Sequence, residues 1–228
     1  MTQGKIKVAV IYGGRSAEHE VSVVSARCVL EAIDRDKYEV VPVAITKAGR
    51  WILPERSPLE LRAPAGSLPA VPEEGTAISL PPSAPSGAAS LSDVDVVFPV
   101  LHGPYGEDGT IQGMLDLAGI PYVGAGVLAS AIGMDKEVQK RLFEARGIAV
   151  PAWVHVHRAE WERNPDGCVE VADGQIGLPC FTKPARLGSS VGISRCKTPA
   201  QLRDGFELAF THDDKALVER AVAGRELE

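Results

Sequence analysis

The sequence predicts a mixed α/β protein in two parts, an open parallel sheet followed by a smaller α+β unit with an antiparallel sheet. In the first part, β-branched apolar runs over 7–12, 38–45 and 94–101 are typical of strands buried on both faces. From 150 onwards, strand-length segments alternate apolar and polar residues, which favours a sheet with one polar face. We therefore expect one domain over 1–134 and a second over 135–228.

The composition narrows the classes of partner. The chain has 228 residues, 24 Lys and Arg, and 30 Asp and Glu, which give a formal charge of −6. That balance argues against nucleic acid as a partner, because phosphate contacts need clustered cations. The apolar runs have strand length, and the N-terminus lacks a basic stretch before an apolar block, so we expect no membrane association and a cytoplasmic location.

The cysteines and histidines give little sign of a metal site. The four cysteines have no CxxC spacing, so we interpret them as reduced packing thiols rather than as a zinc site or redox pair. His155 and His157 alternate on a predicted strand and would share one face. A metal pair is one interpretation of them, and a hydrated face or edge strand is the one we favour.

The segment KVAVIYGGRSAEHEVSVVSA, residues 7–26, is the clearest candidate ligand site. Gly13 and Gly14 follow the first strand and allow a sharp turn with close approach of the backbone to a ligand. Ser16 is the predicted N-cap of a helix whose first turn carries Glu18. Ligands of open α/β sheets bind at this carboxyl edge. The pattern is not GxGxxG, so a dinucleotide site is poorly supported.

Proline, alanine, serine and glycine dominate residues 54–92, and no apolar period lasts there. Such a composition buries too little surface to order a segment fully. Because a buried-type strand resumes at 94–101, we interpret 54–92 as an insertion within the first domain rather than as a linker. We expect high mobility between 58 and 90.

A second ligand-edge loop follows the third buried strand. It has the sequence HGPYGEDGT over 102–110, and Asp108 or Thr110 is the predicted cap of the next helix. His102 lies where the strand leaves the sheet, close to the edge that holds Glu18. A structural and a functional histidine stay equally open at this position.

The second domain begins with a predicted helix that Asp135 caps, with Leu142, Phe143 and Ala145 at buried positions. Lys136 lies at the N-terminus of this helix, where the helix dipole disfavours a cation. A nearby anion such as a nucleotide phosphate would offset that cost, and a solvated lysine is the simpler alternative.

The second domain also contains a candidate phosphate loop. A strand over 178–183 ends at Lys183, and GSSVG over 188–192 supplies small donors that suit phosphate oxygens. The spacing is not that of a Walker-type phosphate loop. Glu219 lies among apolar residues in a strand predicted over 216–222, so it needs a hydroxyl or amino partner.

Two further segments complete the second domain. Residues 161–175 are acidic and turn-rich, which predicts a surface excursion. Thr198, Pro199 and Gln201 form a predicted helix start, with a cap, a proline at the first position and a glutamine at the third. That helix should run to Phe210.

Three separated segments together resemble the D-alanine–D-alanine ligases of the ATP-grasp superfamily. They are GGRSAEHEVS, then HGPYGEDGTIQG followed by GMDK, then KPARLGSSVG followed by LVER and GRE. They occur in the order found in the family and cover nearly the whole chain. The resemblance implies a pre-ATP-grasp parallel sheet followed by an antiparallel ATP-grasp subdomain.

The resemblance implies ATP-dependent ligation of two D-alanines through an acyl phosphate, for peptidoglycan precursor synthesis. Glu18, His102 and Ser189 would be catalytic and would face one shared cleft. Glu18, Val21 and His102 would contact the first substrate. Residues of the second domain would bind ATP, the last of them through the ribose: Lys136, Lys183, Ser190, Glu219, Ala221, Val222 and Glu226.

The resemblance also implies parts that this sequence does not contain. The family continues beyond the position of Glu228, so we expect the Mg²⁺ or Mn²⁺ ligands in a missing C-terminal domain. We expect no metal site within the chain and little activity of the chain alone. D-alanine and ATP are the implied partners, and the implied assembly is a homodimer. A D-alanine–D-lactate ligase and a non-catalytic nucleotide-binding module on the same fold stay open as alternatives.

Overall fold

The computed structural model describes residues 4–79 and 90–225. The chain divides into two compact units, Met1–Ala131 and Ile132–Glu228. The division falls inside a helix, and the boundary predicted between 134 and 135 lies at the end of that same helix. Within the described ranges, none of the helices has the length and apolar character that crossing a membrane requires.

The first unit is built on a five-stranded sheet. Its elements in chain order are β1 (Ile6–Gly13), α1 (His19–Ala32), β2 (Tyr38–Ile45), β3 (Trp51–Pro54), β4 (Gly75–Ala77), β5 (Val96–Pro99), α2 (Thr110–Ala118) and α3 (Val127–Met134). The strands lie in the order β4-β3-β2-β1-β5, and β1 pairs in parallel with β2 and β5. The predicted parallel open sheet is confirmed, and antiparallel β3 and β4 extend its edge.

The central strand β1 is buried because helices cover both faces of the sheet. On one face, Val10 lies in a core cluster with Val23 and Leu30 of α1. On the other face, Ile11 lies in a second cluster with Leu115 of α2. The continuous apolar run of β1 therefore reflects two covered faces rather than one.

The described part of the segment 54–92 packs against the rest of the first unit. Val71 is buried, and its backbone N–H donates to the buried ring of His19 at 3.0 Å. The prediction that this composition buries too little surface is wrong for that part, because single apolar residues reach the core without forming a periodic pattern. Residues 80–89 lie outside the described residues, and the mobility expected between 58 and 90 stays a prediction.

The second unit is built on a four-stranded antiparallel sheet, as predicted. Its elements are α4 (Lys136–Ala145), β6 (Trp153–His157), α5 (Arg158–Arg163), α6 (Pro165–Ile176), β7 (Cys180–Pro184), β8 (Ser194–Cys196), α7 (Pro199–Phe210) and β9 (Lys215–Arg220). The strands lie in the order β6-β9-β7-β8, with every neighbouring pair antiparallel. The last strand covers 215–220 rather than the predicted 216–222.

This second sheet has one apolar and one polar face. Cys180 and Val218 lie in the hydrophobic core together with Phe206 of α7. Because side chains alternate along a strand, Lys183 and Glu219 lie on the opposite face. The predicted alternation of apolar and polar residues therefore identifies the face that carries Lys183 and Glu219, opposite the hydrophobic core.

Residues 161–163 and 165–175 belong to the helices α5 and α6, so the predicted turn-rich surface excursion is wrong. Asn164 Oδ1 accepts from the N–H of Gly167 at 3.1 Å, and Pro165 takes the first position, which gives α6 a capped start. Val169 of α6 lies in the core. Besides its acidic residues, α6 has one apolar stripe, and the burial of this stripe in the core stabilises the helix.

Two predicted helix starts are confirmed. Asp135 Oδ1 accepts from the N–H of Glu137 at 3.1 Å at the start of α4. Thr198 Oγ1 accepts from the N–H of Gln201 at 3.2 Å at the start of α7. Both helices therefore begin where a short polar side chain satisfies an amide that lacks a partner within the helix.

The predicted buried face of α4 is wrong. Leu142, Phe143 and Ala145 are exposed, whereas Glu137 and Lys140 are buried. This helix turns its charged side chains inward because those side chains form ion pairs with other residues of the second unit. Apolar spacing alone does not reveal such a partner.

Gly205 in α7 tests how closely this helix packs on its sheet. A Cβ at Gly205 would overlap Thr182 Oγ1 and lie 3.0 Å from Cys196 Sγ. We expect Gly205→Ala to lower the free energy of unfolding by about 1–3 kcal/mol, because the buried neighbours must shift to make room. Urea unfolding followed by circular dichroism measures the change.

Gly174→Ala in α6 is the matched control. A Cβ at Gly174 meets nothing within 4 Å, so only the better helix propensity of alanine acts. We expect this variant to be more stable by about 0.5 kcal/mol. Equal effects of the two substitutions would contradict the close packing of α7.

Candidate functional site

Two loops of the first unit meet at the carboxyl edge of its sheet. Gly13 has φ +89°, and a Cβ there would overlap the carbonyl oxygen of Ile45, so the turn after β1 requires glycine. Ser16 follows, and its hydroxyl donates to the carbonyl of His102 at 2.7 Å. This bond joins the loop after β1 to the loop after β5.

The predicted N-cap role of Ser16 is wrong. The helix α1 begins at His19, with Glu18 at its N-cap position. Ser16 Oγ instead accepts from the N–H of Glu18 at 3.1 Å, which forms a local serine turn before the helix. The same hydroxyl also donates to the carbonyl of His102, and this bond keeps Ser16 in the loop before α1 rather than at its N-cap position.

Glu18 and His102 come close together at this edge. Gly103 has φ +70°, and a Cβ there would overlap Glu18 Oε2, so the glycine leaves room for the carboxylate. His102 Nε2 lies 2.8 Å from the hydroxyl of Ser25 on α1. The structure thus brings together two residues that the sequence predicts at the first substrate. Val21, the third predicted contact, is 44% exposed on α1.

The second loop is shaped by Asp108. Its carboxylate accepts from the N–H groups of Tyr105 at 2.8 Å and Thr110 at 2.9 Å. The N-cap position of α2 is occupied by Gly109, with φ +93°, so neither Asp108 nor Thr110 takes the predicted position. The Asp108 carboxylate nevertheless accepts from the N–H of Thr110, the first residue of the helix. The left-handed backbone at that position favours glycine.

A cavity of about 230 Å³ lies between the two loops of the first unit. Its walls include Trp51, Leu101 and Met114, with Ser16 and His102 among its polar groups. The carboxyl edge therefore has room for a small molecule beside His102.

His19 has a structural role that sequence reasoning missed. Its ring is fully buried, Nδ1 lies 2.6 Å from the carbonyl of Gly14, and Nε2 accepts from the N–H of Val71 at 3.0 Å. Because an amide nitrogen only donates, the ring hydrogen is on Nδ1. His19 therefore fixes the glycine turn. The available signal was a histidine next to that turn, but its second partner lies 52 positions away.

One carboxylate, that of Glu219, organises the polar face of the second sheet. Its Oε1 accepts from Lys140 Nζ at 2.6 Å, and its Oε2 accepts from Lys183. The side chains of Glu219 and Lys140 are each 11% exposed. Burial favours the neutral acid, yet the hydrogen bonds from the two lysines outweigh it and lower the pKa of Glu219. The predicted need for an amino partner is confirmed.

Lys136 adds a third ammonium group to this region. It donates to the carbonyl of Ala185 at 3.4 Å and to the carbonyl of Leu187. Burial, and then the nearby charge of Lys183, lower the pKa of Lys136. Its ammonium therefore lies at the base of the loop between β7 and β8, near the charges of Lys183, Glu219, Asp213 and Asp135.

That loop carries two serines in a left-handed backbone conformation. Ser189 has φ +49° and Ser190 has φ +59°, and both are exposed. Such a conformation costs a non-glycine residue about 1–3 kcal/mol and concentrates at functional sites. Arg186, at the start of this loop, binds the carboxylate of Asp213. It donates from its backbone N–H at 2.7 Å and from Nε at 3.0 Å, and these bonds fix the start of the loop.

The remaining residues predicted to bind ATP follow the end of β9. The N–H of Ala221 donates to the carbonyl of Pro179 at 3.1 Å, and Val222 is 70% exposed. Glu226, the predicted ribose contact, lies outside the described residues. The second unit thus brings together Lys136, Lys183 and Glu219 and leaves Val222 open on the surface.

Within 4–79 and 90–225, metal-ligating side chains come together in one group of three. Glu137, His155 and His157 each offer a ligand atom, and these atoms all lie within 4.8 Å of one another. Two imidazoles do not suit Mg²⁺, which prefers oxygen ligands. The described residues therefore give no fit for a catalytic Mg²⁺ ion.

Two family models match most of the chain. The model described as D-ala D-ala ligase N-terminus matches residues 7–125, which is more than half of the chain. The model described as D-ala D-ala ligase C-terminus matches residues 142–228.

Curated proteins with similar sequences carry the same description. The D-alanine–D-alanine ligase of Kineococcus radiotolerans is 46% identical over 241 residues, which cover 100% of this chain and 63% of that protein. The D-alanine–D-alanine ligase of Streptomyces coelicolor is 48% identical, over 97% of this chain and 61% of that protein. The chain therefore spans about 63% of the length of the curated relatives that it matches.

Solved structures agree with the sequence matches. The D-alanine-D-alanine ligase from Coxiella burnetii is 32% identical with a TM-score of 0.81, over 97% of this chain and 65% of that one. The VanG D-Ala:D-Ser ligase from Enterococcus faecalis is 34% identical with a TM-score of 0.78, over 97% of this chain and 64% of that one. On these matches, the chain belongs to the D-alanine–D-alanine ligase family.

Proposed function

We propose that this chain carries the D-alanine-binding and ATP-binding parts of a D-alanine–D-alanine ligase, which makes D-alanyl-D-alanine for peptidoglycan precursors. The observation that carries the proposal is the group of three lysines, Lys136, Lys140 and Lys183, at Glu219 and at the base of the loop between β7 and β8. The ammonium groups of Lys136 and Lys183 suit the phosphate oxygens of ATP. The exposed serine loop next to them supplies hydroxyls and amides for phosphate oxygens.

The proposed reaction has two steps. A carboxylate oxygen of the first D-alanine attacks the γ-phosphorus of ATP, the bond from that phosphorus to the β-phosphate oxygen breaks, and ADP leaves. The amine of the second D-alanine then attacks the carbonyl carbon of the acyl phosphate. This amine loses a proton, the peptide bond forms, and inorganic phosphate leaves.

The second unit contributes charge neutralisation and positioning. Lys136 and Lys183 bind phosphate oxygens, while Ser189 and Ser190 lie in the loop that covers the reacting groups. The adenosine half of ATP is assigned to residues at and beyond the end of β9: Glu219, Ala221, Val222 and Glu226.

The first unit receives the first D-alanine. Glu18 attracts the substrate ammonium, and Val21 lies beside it on the first turns of α1. His102, held by Ser25, faces the substrate and helps to set its charge state.

Mg²⁺ or Mn²⁺ neutralises charge on the transferred phosphate in this chemistry when it is bound. The described residues do not fit this ion, so no step assigned here to the chain depends on it. We also propose a homodimer in the cytoplasm, as the family resemblance implies.

The activity tests use a fusion protein, because the chain spans about 63% of the length of its relatives. The fusion continues this chain with the segment of the Streptomyces coelicolor relative that follows the region of similarity. Circular dichroism establishes that each variant is folded before its rate is measured.

Glu18 tests the D-alanine side of the proposal. We expect Glu18→Gln to lower kcat/KM for D-alanine by about 100-fold, because a misplacement of the substrate by about 1 Å costs that much. ADP release in the presence of D-alanine measures the rate. Glu31→Gln, which changes an exposed glutamate of the same helix, should keep the wild-type rate. A folded fusion without D-alanine-dependent ADP release would favour a non-catalytic nucleotide-binding module.

Lys183 tests the ATP side. We expect Lys183→Met to raise the KM for ATP by about 10- to 100-fold, the equivalent of one charge-assisted hydrogen bond. Lys140→Met is the comparison, because it also breaks an ion pair of Glu219 but removes no proposed phosphate contact. Lys197→Met, an exposed lysine, is the neutral control. An equal rise of KM in the Lys140 and Lys183 variants would show that Lys183 acts only through Glu219.

The second substrate is tested by competition. We expect the fusion, given equal concentrations of D-alanine, D-serine and D-lactate, to form mainly D-alanyl-D-alanine, as mass spectrometry of the products would show. The similar structure from Enterococcus faecalis is named a D-Ala:D-Ser ligase, so a serine-containing product is the informative contrary result. A lactate-containing product would favour the alternative ligase of the D-alanine–D-lactate type.

A further inference from the structure

Two histidines and a glutamate of the second unit lie together at the edge strand β6. His155 and His157 are two positions apart on β6 and share one face, and their ring centroids are 5.4 Å apart. Glu137 comes from α4, and its Oε1 lies 3.7 Å from His155 Nε2. The ligand atoms of all three residues lie within 4.8 Å of one another.

The carboxylate of Glu137 is already oriented for this group. Its Oε2 accepts from Lys215 Nζ at 2.6 Å, which leaves Oε1 on the side of His155. A partner that fixes a ligand from behind in this way typically strengthens metal binding. The geometry therefore resembles a preformed pair of ligands with a third one close by.

The charges near Glu137 allow a cation to enter. Arg141 Nε donates to Glu137 Oε1 at 2.9 Å, but the arginine side chain is 57% exposed and belongs to an i,i+4 pair on the helix. Only the arginine side of this pair is exposed, since the Glu137 side chain is 12% exposed, but i,i+4 ion pairs on a helix are weak, so a metal ion displaces the arginine. Lys215 is shared by two carboxylates, Asp135 and Glu137, and these three groups together carry one negative charge.

We propose that Glu137, His155 and His157 form a binding site for a divalent transition-metal ion of the Zn²⁺ class, with water as the fourth ligand. Two imidazoles and one carboxylate suit Zn²⁺ and its neighbours, whereas Mg²⁺ and Ca²⁺ select oxygen ligands. The bound ion links α4 to the edge strand β6 and stabilises the second unit by mass action. This site is separate from the residues assigned to ATP and D-alanine.

Isothermal titration with Zn²⁺ tests the proposal on the whole 228-residue chain. All proteins carry Cys28→Ser, because Cys28 is an exposed free thiol that itself binds Zn²⁺. We expect one site in the parent protein and an affinity at least about 10-fold lower in His155→Ala. His157 is also the residue at the N-cap position of α5. His157→Asn should lose as much affinity, because asparagine suits the N-cap position but supplies no imidazole ligand. His212→Ala, which removes an exposed histidine elsewhere in the second unit, should bind as the parent does.

Nitrogen-15 NMR of the histidine rings gives an independent readout. Zn²⁺ should shift the ring nitrogens of His155 and His157 and leave those of His212 unchanged. The proposal is overturned if the parent protein binds no Zn²⁺, if His155→Ala binds as tightly as the parent, or if the rings of His155 and His157 do not respond.

Discussion

The second unit depends on one buried carboxylate that must stay paired. Removing one partner from a buried ion pair typically costs about 3–5 kcal/mol, because it leaves an uncompensated charge. Glu219 lies on β9, whereas its partners Lys140 and Lys183 come from α4 and β7. The carboxylate is therefore satisfied only when a helix and two strands are placed correctly. The same ion group that supplies charge to the candidate site is a condition for the fold around it.

A second ion group fixes the start of α4 in the same way. Lys215 Nζ donates to Asp135 Oδ2 and to Glu137 Oε2, each at 2.6 Å. Burial opposes the charge of Glu137, yet hydrogen bonds from Lys215 and Arg141 lower its pKa to about 2. Burial likewise opposes the charge of Lys215, yet its bonds to Asp135 and Glu137 raise its pKa. These bonds turn the charged side of α4 inward. The apolar residues of this helix, which the sequence predicted to be buried, are on the outside for that reason.

The sequence predicted what local rules and charge balance decide. Asp135 and Thr198 cap helices because the helical pattern begins directly after them, and Glu219 needed a partner because it lies in a strand with several apolar residues. The roles of Ser16 and His19 could not be predicted, because their deciding partners lie 86 and 52 positions away in the chain. In the sequence, a residue that makes one local and one long-range hydrogen bond cannot be distinguished from a residue that makes only the local one. The strain in the serine loop was hidden for a similar reason, since its glycines and serines indicate a turn but not which residues adopt positive φ.

The pairing of one carboxylate with two lysines also governs how the candidate site exchanges partners. Under the proposed function, a phosphate oxygen competes with Glu219 for Lys183. If Lys183 were the single partner, its departure would leave a buried charge unpaired and offset much of the gain from phosphate binding. Lys140 stays on the other oxygen of the carboxylate and keeps a charge-assisted bond of about 1.5–3 kcal/mol. Lys136 needs no such exchange, because carbonyl oxygens hold its ammonium without neutralising it. Under the proposed function, Lys183 therefore alternates between Glu219 and the ligand, whereas the positive charge of Lys136 stays available for the ligand.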